Sequence, residues 1–342
     1  MQSKKTFIVI PIVLAAALSM ACACLPLSSL ERFFVNGQPL SDPPVYDPST
    51  KDPLEPVSTC DDELGGLLSE AENSDDPGEK LAMEYILASY EVSGDVISGP
   101  DFPSSVPKSL ESYQQDTSLH EEIWAFIVAV VPAEYRTEVA YFIVFTDGPA
   151  GTLGAVEQAD DPTTWMLEMD VRDAGNFTDL STTLVHEISH ILTLNTSQVE
   201  TDYIVFNNPD DLSAYEEGEA ACDTYFMAEG CSYQDSYINL FFERYWGDIY
   251  NEWLEINQEQ DEATLENRLS DFYGQYADWF VSDYAVTSPE EDIAESFMYF
   301  ILAPQPAGDT IAEEKILFFY EFPELVTLRD QMRASLCISV MP

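Results

Sequence analysis

The sequence predicts an α+β fold: a small mixed sheet, then a long helix bearing two histidines, then a mostly helical C-terminal half. Three observations lead there. Residues 123–131, 139–145 and 164–170 are β-rich or alternating runs, all ahead of residue 175. Leu180, Leu184, Ile188 and Ile191 then recur at helical spacing, with Val185 and Leu192 widening the stripe. Beyond residue 214, helical patterns dominate.

Taken in order, Leu81, Tyr85, Ile86 and Tyr90 predict a helix over 78–91. Residues 92–118 are polar, carry Pro100, Pro103 and Pro107, and read as loop. The runs 123–131 and 139–145 are separated by a charged turn and, with 164–170, form the expected sheet. The helix over about 179–194 has N-cap candidates at Thr178, Asp179 and Ser181. Helices are expected over 215–229, 236–256, 262–285, 310–321 and 324–336. Their aromatic stripes, such as Phe272, Tyr276, Trp279 and Phe280, suit a core.

Chemistry concentrates in His186-Glu187-Ile188-Ser189-His190, which holds two of the chain's 3 histidines. Positions i and i+4 share a helix face, so both imidazoles can reach one zinc ion. Glu187 is then placed to act on the attacking water. A catalytic zinc normally takes three protein ligands. The remaining histidine, His120, lies far upstream beside Glu121 and Glu122 and reads as a solvated residue. A carboxylate is the better third ligand.

The segment 288–297 offers one. Ser288 can cap a helix and Pro289 suits its first position, while Ile293, Phe297, Phe300 and Ile301 form an apolar face. Glu291 and Glu295 share another face. One can bind the metal while the other accepts a proton from a ligand imidazole. A competing candidate for the third ligand is Glu219, with Asp223 four residues later and Glu216 and Glu217 beside it.

The stretch 184–190, followed about a hundred residues on by Glu291-Asp292-Ile293-Ala294-Glu295-Ser296-Phe297, resembles the gluzincin zinc metallopeptidases. The second of these segments looks especially like the catalytic domain of anthrax lethal factor and of related bacterial zinc peptidases. The resemblance spans about residues 120–305. It implies a zincin-like fold, His186, His190 and Glu291 as zinc ligands, and Glu295 as support for a ligand imidazole. It further implies Tyr284, seven residues before Glu291, as a stabiliser of the tetrahedral intermediate. By the same analogy the strand 164–170 would be the edge along which substrate pairs. The chain lacks the third histidine and the glycine of the His-rich metzincin pattern. The expected activity is zinc-dependent hydrolysis of peptide bonds in extracellular proteins or peptides. The alternative is a non-catalytic, zinc-stabilised surface protein that binds peptides or cell-wall material.

Residues 1–24 read as an export signal: Lys4 and Lys5, an apolar run from Phe7 to Leu18, then small residues. Cys22 and Cys24 stand where a lipoprotein signal would place a lipidated cysteine. Residues 25–59 form a proline-rich linker, 60–119 a helical and loop region, and 120–342 the catalytic domain. An extracytoplasmic or secreted protein, tethered by lipid at a bacterial surface, is the expectation. Export permits disulfides. Cys222–Cys231 closes the shortest loop, leaving Cys60 and Cys337 to tie the ends together.

Lys and Arg number 13 against 63 Asp and Glu, a formal net charge of −50. Nucleic acid and anionic lipid are therefore poor partners. A saline habitat or recruitment of cationic substrates would suit such a surface. The acidic loops at 160–161 and 207–211 are weak candidates for Ca2+. Nothing in the sequence calls for an obligate oligomer.

Overall fold

The computed structural model describes residues 81–338, apart from 82 and 149–150. The export segment with Cys22 and Cys24, the linker and Cys60 lie outside the described residues. The elements of the sheet are β1 (Tyr85–Ser93), β2 (Val96–Asp101), β3 (Val139–Thr146), β4 (Gly154–Gln158) and β5 (Trp165–Asp170), in the order β2-β1-β3-β5-β4. β3 and β5 run parallel; the other pairs are antiparallel.

Tyr85–Ser93 is thus a strand, where the sequence predicts helix over 78–91. Its helical spacing yields to pairing on both sides, with β2 through a tight turn at Gly94 (φ 63°) and with β3. Through this pairing β1 and β2 share a sheet with β3. The opposite correction applies to 123–131. Residues 123–130 belong to α2 (Thr117–Val130), which follows the short α1 (Glu111–Gln115), and Val131 is its C-cap. Asp116 caps α2, accepting from Leu119 N at 3.2 Å, and Pro132 follows its end. His120, Ile123, Trp124, Ile127 and Val130 form its buried face, so β-branched composition gives way to helical packing on the sheet. His120 is accordingly buried rather than solvated: its Nε2 lies 2.9 Å from Tyr113 O and its Nδ1 2.8 Å from Tyr90 Oη.

The long central helix is α3 (Phe177–Leu194). Its cap is Asn176, two residues before the first candidate the sequence offers, whose Oδ1 accepts from Thr178 N and Asp179 N. All its residues from Thr183 to Leu194 are buried. At Gly154 on β4 an added Cβ would lie 2.7 Å from Thr183 Cγ2, so glycine lets the helix approach the edge strand closely. That edge is β4. Residues 165–170, expected at the edge, form β5 and are paired on both sides. Their burial on both faces fits an interior strand.

After α3 comes a small module: β6 (Val199–Thr201), α4 (Tyr203–Asn207), α5 (Leu212–Ala221), β7 (Phe226–Met227) and β8 (Gly230–Ser232), with strand order β6-β8-β7. The helix expected over 215–229 therefore stops at Ala221. There the Cys222–Cys231 disulfide clamps a hairpin. Cys337 is also disulfide-bonded. Asp211 caps α5 through Ser213 N, and Asp161 accepts from Thr163 N and Oγ1, so both acidic loops use a carboxylate to order their own backbone.

The C-terminal half is helical: α6 (Tyr237–Tyr245), α7 (Tyr250–Asn257), α8 (Glu262–Gln275), α9 (Pro289–Leu302), α10 (Ile311–Phe318) and α11 (Pro323–Ser335). Gly247 falls in the break that divides the expected 236–256 helix. The expected 262–285 helix ends at Gln275, so Tyr284 sits in the loop before α9. Among the described residues no helix is long and apolar enough to cross a membrane.

Candidate metal centre

α9 begins as its sequence dictates. Ser288 Oγ accepts from Glu291 N at 3.1 Å, and Pro289 occupies the first turn. α9 packs along α3, bringing Glu291 and Glu295 against His186. Glu291 Oε2 is 3.0 Å from His186 Nε2 and 3.6 Å from His190 Nε2. The two imidazole Nε2 atoms are themselves 3.0 Å apart. All three side chains are buried.

Three ligands at about 2.0–2.1 Å around a tetrahedral zinc stand about 3.3 Å from one another. The measured separations bracket that value, so the donor set fits the ion. Among the described residues these three form the group that can hold a metal. Two imidazoles and one carboxylate leave a coordination position open, whereas structural zinc sites close all four. Glu187, wholly buried, stands between the two histidines in sequence on the same helix.

This is a gluzincin-type zinc-metallopeptidase active site.

Its geometry is that of metal-activated peptide-bond hydrolysis rather than of a purely structural zinc. No family model matches the chain, and no curated protein or solved structure does either. The assignment rests on the side chains themselves.

Charge in the site follows from its contacts. Burial pushes the Glu291 carboxyl up, but the imidazoles of His190 and His186 outweigh it and hold the group well below the ordinary carboxylate range. Glu295 Oε1 lies 2.9 Å from His186 Nδ1, and Ser282 Oγ donates to Glu295 Oε2 at 2.7 Å. His186 thus contacts α9 through both ring nitrogens. The Tyr284 ring centroid is 5.9 Å from that of His186, which puts this loop tyrosine beside the triad. Glu219 is exposed on α5 and is not part of the cluster.

Sequence reasoning missed several carboxylates around this centre. Glu290 accepts from Tyr225 Oη at 2.7 Å, and burial raises it. Glu229, ahead of β8, is raised to about 7 by desolvation and by Glu290, with His190 opposing. Glu168 on β5 is raised to about 8, first by burial and then by Glu157, Glu84 and Glu187. Glu229 and Glu168 belong to no local motif; distant chain segments bring them here.

Proposed function

We propose that the chain is a zinc endopeptidase that cleaves extracellular proteins or peptides. The observation that carries this is the buried His186–His190–Glu291 triad with Glu187 on the same helix. Zinc held by His186, His190 and Glu291 would supply Lewis acidity, polarising the scissile carbonyl and lowering the pKa of water so that it could give up a proton and attack near neutral pH. Glu187 takes the proton of the attacking water and returns it to the leaving amine. The Tyr284 phenol donates to the oxygen that gains charge as the carbonyl becomes tetrahedral. Glu295 accepts from His186 Nδ1, which fixes the tautomer that leaves Nε2 free to ligate.

Substrate placement follows from the sheet. β4 ends the strand order, so its outer edge can take an extended peptide by main-chain hydrogen bonding. The chain's acidity favours substrates with lysine or arginine. Export, with a lipid on Cys22 or Cys24, would set the enzyme at the cell surface on its linker.

The test pairs zinc content with cleavage of a mixed peptide library by the native protein and Glu187→Gln. Zinc in both, with cleavage by the native protein alone, is the expected result. Zinc in both with cleavage by neither would instead support the zinc-stabilised binding protein.

A further inference from the structure

On the first turn of α9, the residue after Glu291 does something else. Asp292 points away from the triad, since successive helical residues are about 100° apart. Its Oδ2 accepts from Trp246 Nε1 at 2.8 Å and from Lys315 Nζ at 2.5 Å. Both ionic side chains are completely buried. The ammonium also lies 4.2 Å from the Phe280 ring centroid. Trp246 follows α6 and Lys315 lies on α10, so one carboxylate gathers two other helices onto the back of α9.

Such a pair is a poor device for stability. Desolvation offsets most of its Coulombic gain, and apolar replacement of buried pairs is often neutral or stabilising. The aromatic surroundings here would accept apolar side chains. The pair does supply direction. Glu291 and Glu295 both reach His186 from α9, one to each ring nitrogen. A 15° turn of the helix would swing a carboxylate about 6 Å from the axis through roughly 1.5 Å. That is most of a zinc–oxygen bond length, about 2.0 Å. We infer that Asp292, held by Lys315 and Trp246, is a positioning residue that sets the rotation of α9 and so keeps Glu291 and Glu295 on His186. This rests on the metal-site reading of the proposed function.

The test is the double variant Asp292→Leu with Lys315→Met in the full chain. Three quantities are measured: thermal midpoint, zinc affinity by competition with a chromophoric chelator, and the visible spectrum of the cobalt-loaded protein. The expected result is a folded protein with a midpoint little changed or modestly lowered, since Trp246 Nε1 loses its acceptor, zinc affinity at least tenfold weaker, and altered cobalt bands. Native affinity and native bands in a folded double variant would overturn the inference and leave the pair a packing feature. If the double variant does not fold, Asp292→Asn is measured in the same way. It keeps the shape and the acceptor for Trp246, and a buried lysine can shed its proton. Native metal binding in that variant overturns the inference equally. A native protein that binds zinc but cleaves nothing would end the peptidase reading without touching this one. A native protein that binds no zinc overturns both.

Discussion

The first turn of α9 and the middle of β5 each bury a glutamate, with opposite results. Glu291, 3 % exposed, faces two imidazoles and is held far below the ordinary carboxylate range. Glu168, 8 % exposed, faces Glu157, Glu84 and Glu187 and is pushed up to about 8. Burial alone raises both; the sign of the neighbours decides which stays ionised. A chain with 63 acidic residues therefore does not have 63 equivalent carboxylates. One is held low where the donor set fits a cation, and another is raised on an interior strand of the sheet.

Breaking the low side of this contrast should have the largest effect. Glu291→Ala removes an anionic ligand, so zinc should be lost on dialysis and hydrolysis should fall to background; elemental analysis and a peptide assay check both. Glu187→Gln should keep its zinc while kcat falls about 10²- to 10⁴-fold, the usual worth of a positioned general base. Glu295→Gln should weaken zinc binding by about 10- to 100-fold, as outer partners of ligand imidazoles do. Chelator competition measures that step.

The high side predicts a pH effect of definite sign. Glu168 is raised in the folded state, so the fold binds a proton that the unfolded chain releases near pH 4–5. Stability is then fully present below that range and is lost as pH rises to about 8. Glu168→Gln should flatten this part of the curve and gain on the order of 1–2 kcal/mol near pH 8. Urea midpoints from pH 4 to 8, for native and variant, decide it. An equal slope in both would remove Glu168 from the account. The smallest effect is long-range: cleavage of lysine-rich peptides should drop several-fold in kcat/KM between about 0.05 and 0.5 M salt, and that of neutral peptides should not.

Legibility followed the same divide. The caps and spacings around His186 and Glu291 are local, and α3 and α9 lie within two residues of where sequence places them. The Cys222–Cys231 pairing was legible because its loop is short. Tyr85–Ser93 is strand where spacing predicts helix, and Thr117–Val130 is helix where composition predicts strand. Their periodicity and composition disagree, and only contacts with β3 and the sheet resolve them. The edge role of β4 could not be read at all, since strand order is a property of pairing between distant segments.

By itself, then, the sequence determined the ligand types, the helical faces that present them and the order of a strand-rich region before a helical one. Those depend on residues within one or two turns of each other. Tertiary structure alone decided that Glu291 rather than Glu219 meets the histidines, that Asp292 is gripped from behind, and that Glu168 and Glu229 crowd the site. Each needs chain segments tens of residues apart to share a buried volume, where distance and desolvation, invisible in a linear pattern, set the chemistry.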